Sequence, residues 1–462
     1  MSKPSLPLSK QFAYAIGQLG WSLLMNIIGT WLVYFYLPPK DAGIPILIAD
    51  VAILVIFNVI GLVSAFGRLW DAVTDPVIAN ASDRANTKWG RRIPFLAVGA
   101  LPAAVFCLMV FLPPDPTAST LNLVWMIGAL MLFYLFLTIY VTPYFALIPE
   151  IGRTSEERLN ISTYISVTYF LGIAIASFAP GLWNRLLAEP SLGLTKVQAM
   201  QWTLGIFCGF AAFCMYFPVF AIDEKKYCES EPSDIPFKEA LQLTFKNKNF
   251  LYFALSDLAY FLSVTILQTG LIYYITVLLG QAENMQGELM TVLGVVSFVL
   301  YPVVNSLAKK IGKKPLVIFA FGVFCSLFIF IYFLGDGVPL PKLIQSYLIV
   351  IVAAIPMAIL GILPNAILAD IAELDAIKTG SKREGLFYAA RTLMSKLGQT
   401  VAILLFTSFL LLGRDVSNPT GIRLTGPVAA FFCFMAIILF LKYNEKETLE
   451  EIEKNRISKK LT

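Results

Sequence analysis

Twelve apolar runs, separated by polar and charged segments, organise this chain. About 30 Å of hydrocarbon takes roughly 20 apolar residues of helix to cross, and each run reads as one such crossing. In the first half they cover 12–37, 46–80, 94–112, 121–148, 161–184 and 199–222, and in the second 249–279, 287–308, 315–334, 343–369, 385–412 and 426–442. The longest internal polar stretch, Asp223 to Asn249, falls between the sixth and seventh runs. The pattern therefore predicts an all-α polytopic membrane protein with a six-helix bundle over 1–222, a cytoplasmic linker over 223–248, a second bundle over 249–442 and a cytoplasmic tail over 443–462. Within the linker Phe237, Leu241 and Phe245 recur every four residues, which fits either a short amphipathic helix on the inner leaflet or a solvated connector. The first run follows only Lys3 and Lys10 and is too long for a signal-peptide core, so it reads as a retained helix.

Composition narrows the classes. Of 462 residues 58% are hydrophobic and 14% charged, and mean hydropathy is +0.74, where soluble proteins are about 25% charged. A soluble enzyme is excluded on that ground. The chain has no histidine, so neither a serine–histidine triad nor a histidine zinc site exists, and its six cysteines show no paired spacing. No phosphate-binding G-x-x-x-x-G-K-[ST] loop is present, so the energy for work across a membrane comes from a gradient. With both termini inside, the inner segments carry 26 of the 35 lysines and arginines, the outer loops 6 and the spans 3. That bias places both termini in the cytoplasm and assigns the net charge of +5 to orientation rather than to nucleic-acid binding.

Charges inside the spans carry the chemistry, because each costs at least about 2.5 kcal/mol near the bilayer centre. Span two contains Arg68, Asp71 and Asp75. The two acids, four residues apart, share a helical face and repel unless a cation or proton sits between them. Hard oxygen ligands of this kind suit Na⁺ or H⁺. Span eleven contains Arg391 and Lys396, the latter too deep to reach the interface and so in need of an acid or a watery cavity. Asp257 is a further acid in span seven.

The halves echo each other. Trp89-Gly90-Arg91-Arg92-Ile93-Pro94 stands between spans two and three, and Ile311-Gly312-Lys313-Lys314-Pro315 between spans eight and nine. Spans four and ten end with a proline and then an acid, Pro143 to Glu150 and Pro364 to Asp370. Parallel six-helix repeats related by a pseudo-two-fold axis are the architecture of the major facilitator superfamily. Trp70-Asp71-Ala-Val-Thr-Asp75-Pro76, Thr142-Pro143 through Pro149-Glu150, Arg383-Glu384-Gly385 and Lys396-Leu-Gly398 resemble the glycoside–pentoside–hexuronide:cation symporters, the melibiose-permease branch of that superfamily. A eukaryotic branch, the sodium-dependent lysophospholipid symporters, shares the span-two acids and the span-eleven lysine.

The resemblance implies cation ligands at Asp71 and Asp75, with Ser22 grouped with them because sugar-transporting relatives carry an acid near that position. It implies coupling through Lys396 and Arg68, and gating through Asp83, Arg84, Arg91, Arg92, Arg158 and Arg383. Trp21, Thr142, Asp257 and Arg391 are the expected solute contacts, the last two standing in for charged groups that relatives carry in spans one, four and five and this chain lacks. The expectation is a monomeric, cofactor-free secondary transporter, not an enzyme, in the plasma or bacterial inner membrane. It carries a sugar or glycoside together with Na⁺ or H⁺ by alternating access. A lysophospholipid or another amphiphile is the alternative cargo, and a non-transporting membrane sensor the alternative class.

Overall fold

The computed structural model describes residues 6–49, 52–53, 57–152, 155–228, 247–379 and 384–461. Among these, eleven helices are long and apolar enough to cross a membrane. A twelfth, Val59–Arg84, has the length at 26 residues but carries Arg68, Asp71 and Asp75. The chain is thus an integral membrane protein of the expected twelve spans. It divides into two compact units, Met1–Ser233 with Ala282–Glu288, and Asp234–Gln281 with Leu289–Thr462. The predicted amphipathic pattern at Phe237, Leu241 and Phe245 lies outside the described residues.

The first unit contains α1 (Leu8–Tyr36), α2 (Val59–Arg84), α3 (Ile93–Val110), α4 (Thr120–Ile151), α5 (Ser155–Ser177), α6 (Ala179–Ala188), α7 (Lys196–Ala221) and the single turn α8 (Glu224–Tyr227). Two predicted spans differ from what is seen. Span two does not begin at 46: Ala52–Ile53 pairs antiparallel with Phe57–Asn58, and the helix starts at Val59. The Asn58 side chain caps it by accepting the Ile60 N–H at 2.8 Å, satisfying a donor that the first turn leaves without a partner. Span five breaks at Phe178, where Pro180 lacks the N–H that would continue the ladder and instead starts α6.

The second unit contains α9 (Lys248–Tyr273), α10 (Met285–Ile311) from Leu289 on, α11 (Lys313–Phe333), α12 (Lys342–Thr379), α13 (Glu384–Leu410), α14 (Thr420–Leu441) and α15 (Glu445–Leu461). Asn247 caps α9 through the Phe250 N–H at 3.1 Å, and a π turn over Tyr274–Leu278 ends it. The expected tail is the helix α15, packed on α12, where Glu451 pairs with Lys378 at 2.7 Å.

The repeat extends from sequence into packing. In the first unit α1 packs on α5 and α7, and α3 on α4 and α7; in the second α9 packs on α13 and α14, and α11 on α12 and α14. Gly172 of α5 presses bare backbone against Leu19 and Ser22 of α1, and Gly398 of α13 presses the same way on Leu258 of α9. Gly90 and Gly312, ahead of α3 and α11, adopt φ of +111° and +89°, a region that side-chain-bearing residues avoid. One pairing is not repeated: α2 packs closely on α4, whereas α10 and α12 meet sparsely.

Candidate functional site

The α2–α4 contact is where the two acids of span two lie. Asp71 and Asp75, one turn apart on α2, face Thr138 and Thr142, one turn apart on α4. The Thr138 hydroxyl donates to Asp71 Oδ1, and the Thr142 hydroxyl donates to Asp75 Oδ1 at 3.1 Å. Thr74, between the acids, donates to the Asp71 backbone oxygen at 3.1 Å and reaches Thr138 at 3.4 Å. Pro76 lies within α2 and removes the N–H that would otherwise bond the carbonyl of residue 72, inside the turn that joins the two acids. The result is a cluster of hard oxygens, two anionic and the rest neutral, at a helix crossing much closer than its counterpart in the second unit. Aligning Pro76-Val77 with Pro302-Val303 and Pro143 with Pro364 sets Asp71, Asp75, Thr138 and Thr142 against Ser297, Tyr301, Ile359 and Leu363. The second copy has no carboxylate at these positions, so the cluster belongs to one half.

The structure places the other expected residues as follows. Thr142, expected at the solute, is bonded to Asp75. Ser22, grouped with the cation ligands, is not brought to them: its buried hydroxyl donates to the Leu19 carbonyl at 3.0 Å and faces Gly172 of α5. Its face of α1 is used for close packing, which a small residue permits. Trp21 bonds Gln18 at 3.1 Å and packs edge-on against Phe145 at 5.7 Å and beside Tyr169 at 5.8 Å, an aromatic group drawn from α1, α4 and α5. Arg68 is buried beside Gly29 of α1, one turn before Asp71. Lys396 is half-buried on α13, two residues before the Gly398 crossing.

Asp257 and Arg391 meet within the second unit. The guanidinium forks onto the carboxylate, Nε–H to Oδ2 at 2.7 Å and Nη2 to Oδ1 at 3.2 Å, while Nη1 donates to Asn365 Oδ1 at 2.5 Å. Phe253 and Phe261 flank it, their ring centres 6.0 and 5.9 Å from Cζ. Leu258, beside Asp257, is the residue that Gly398 approaches, so the same crossing brings α13 and its arginine onto α9.

Of the residues expected to act in gating, Asp83, Arg91 and Arg92 join a network with Glu150 at the end of α2. Arg91 bonds Glu150 at 3.1 Å, and Arg92 bonds Glu150 at 2.9 Å and Asp83 at 3.0 Å. Glu224 accepts the Arg92 and Ile93 N–H groups at 2.8 and 3.1 Å, covering the N-terminus of α3. Glu445 does the same for α11, accepting the Lys313 and Lys314 N–H groups at 2.8 and 2.9 Å, and Lys313 pairs with Asp370. Glu150, two residues beyond the apolar span, has its carboxyl pushed above the ordinary range by burial, with Arg92 and Arg91 pulling against that shift. Arg84 is exposed and outside this network, and the side chain of Arg158 and all of Arg383 lie outside the described residues.

Sequence reasoning passed over Thr138, Asn365, Glu224 and Glu283. For Thr138 and Thr142 a signal existed: a four-residue hydroxyl spacing that matches the spacing of the acids. Glu283, in the 282–288 segment, accepts from Tyr34 and Lys196, and from the Trp183 indole at 3.1 Å, all within the first unit. Nothing in its loop sequence advertises those partners.

Two repeated helical bundles with a half-buried acid–hydroxyl cluster in one of them define a polytopic membrane transporter. The family described as MFS/sugar transport protein matches residues 13–441, and the chain belongs to it. It is 24% identical to an uncharacterised symporter of Synechocystis sp. (strain ATCC 27184 / PCC 6803 / Kazusa), over 96% of this chain and 95% of that one. It is 21% identical to the sodium-dependent lysophosphatidylcholine symporter 1 of Xenopus tropicalis, over 95% and 86% of the two chains, and 22% identical to a lactose permease of Leuconostoc lactis, over 84% and 60%. Among solved structures the xylose transporter XylE of E. coli, partially occluded and inward open, shares the fold with a TM-score of 0.64 at 12% identity, over 95% and 99% of the chains.

Proposed function

We propose that this protein is a cation-coupled symporter of a sugar or glycoside, working by alternating access with both termini in the cytoplasm. The observation that carries the coupling is the register of Asp71 and Asp75 against Thr138 and Thr142. A monovalent cation entering between the acids relieves their repulsion and turns the hydroxyl lone pairs inward as further ligands. Family membership and the lactose permease relative support the sugar. Within the first unit Trp21, Phe145 and Tyr169 offer ring faces of the kind that pack on the apolar side of a pyranose; within the second the Arg391–Asp257–Asn365 cluster offers groups of the kind that bond sugar hydroxyls. Coupling requires only that the cation bind one state of the cycle better than the other. Arg91, Arg92, Asp83 and Glu150 form the inner gate.

The test is uptake in proteoliposomes. Asp71→Asn abolishes cation-stimulated uptake while solute binding persists; uptake that stays fully gradient-dependent in that variant sinks the proposal. A second reading, an amphiphile such as a lysophospholipid, is favoured by the Xenopus relative and by the exposed aromatic faces of Phe145 and Tyr169. Competition by lysolipids but not by sugars selects it.

A further inference from the structure

The geometry points to Asp257 as the residue that sets the charge of the solute: paired with Arg391, it makes the second unit's contact select a neutral, hydroxyl-bearing solute over an anionic one. This rests on Arg391 being a solute contact, as proposed above. A guanidinium has five N–H groups, and three are spent, two on Asp257 and one on Asn365. Among the described residues, one N–H on each terminal nitrogen remains without a partner. The carboxylate side chain is 2% exposed and the arginine 14%, so an arriving solute meets the guanidinium with the acid hidden behind it.

The two formal charges cancel at hydrogen-bond distance. Phe253 and Phe261 flank the arginine and the carboxylate is buried, so the charge balance within the pair is weakly screened. An anion would give up its hydration to meet a guanidinium already committed to a carboxylate, and would lie near that carboxylate as well. A hydroxyl gives up far less water, accepts one of the remaining N–H groups, and donates to the Asn365 side-chain oxygen. Lys396, five residues on, points about 140° round the helix from Arg391. The corresponding first-half residues, aligned on Gly172 and Gly398, are Gln18 and Ile165, so this charge filter exists only in the second half.

The experiment is equilibrium binding to the full-length protein in detergent, with two matched sets of probes: glucose, glucuronate and glucosamine, and galactose, galacturonate and galactosamine. The wild type binds the neutral member about tenfold or more tighter than its uronate. Asp257→Asn, which leaves the guanidinium unbalanced, moves that ratio about tenfold or more toward the uronate. Arg391→Gln, which leaves the carboxylate unbalanced, moves preference toward the amine instead. The Asp257→Asn/Arg391→Gln double variant, free of buried net charge, returns to the neutral sugar; it and Arg391→Gln carry the test if Asp257→Asn does not fold. Tighter uronate binding by the wild type, unchanged ratios in the single variants, or no binding of any probe overturns the inference. Gradient-driven accumulation, measured separately in proteoliposomes, reports on the transport proposal. Its absence with the charge pattern intact removes transport and leaves the filter standing.

Discussion

A carboxylate in the membrane interior stays charged only where other groups share its charge, and Asp71 and Asp75 have theirs from a neighbouring helix. Each threonine bond to an acid is charge-assisted, worth about 1.5–3 kcal/mol. Thr138→Ala is therefore expected to raise the Na⁺ concentration for half-maximal uptake about tenfold or more if Na⁺ is the coupling ion. A proton needs only the carboxylates, so uptake driven by a pH gradient keeps its dependence in the same variant. Measuring both in one vesicle preparation separates the ions, and equal loss of both removes the threonines from the cation site. The acids were legible from spacing alone, since ionisable groups in an apolar run stand out against their background. Their hydroxyl partners were not, because threonine is common in spans and its role depends on which way α4 is turned. Ser22 shows the reverse: position suggested a ligand, and the close crossing at Gly172 uses its hydroxyl elsewhere.

At the scale of elements, acids borrowed from elsewhere cover the exposed N–H groups of α3 and α11. A helix N-terminus carries partial positive charge and unpaired donors, and Glu224 and Glu445 each satisfy two of them. Glu224→Ala and Glu445→Ala are each expected to cost about 0.5–2 kcal/mol, read as a lower midpoint of thermal unfolding in detergent, with Gln recovering part of the loss. An unshifted midpoint in both would show that water replaces them. Glu150 adds a pH signature. Its pKa in the folded protein lies above the ordinary 4.5, so the folded state holds the proton more readily. This group alone therefore makes the protein gain stability as pH falls from the raised value toward 4.5. Glu150→Gln should remove that slope, and an identical slope in wild type and variant places its origin elsewhere. Helix existence followed from run length, but the start of α2 and the break between α5 and α6 did not. Hydropathy averages over the Asn58 cap and the proline at 180, which act at single backbone positions.

For the whole molecule, orientation and chain routing matter most. Cysteine at Leu192, in a loop read as outer, should react with an impermeant thiol reagent in intact cells, whereas cysteine at Glu450 should react only after permeabilisation. The opposite pattern inverts the assigned topology. The 282–288 segment joins the first unit although its neighbours on both sides belong to the second. Glu283 anchors it among Tyr34, Trp183 and Lys196, and Glu283→Ala removes the carboxylate that accepts from a half-buried lysine and an indole. A loss of about 1–3 kcal/mol in unfolding stability is expected.

The sequence by itself determined the membrane class and carried the expectations of two halves, of sidedness and of which acids matter. Each of these is a sum over local composition: apolar length, the lysine and arginine bias of short loops, or the cost of one charge in hydrocarbon. Tertiary structure alone decided that Thr138 and Thr142 face the acids, that Arg391 closes on Asp257, and that a second-half loop docks in the first unit. Those outcomes depend on which helices become neighbours and how far each is rotated about its axis, and neither quantity is written in the length or polarity of a single span.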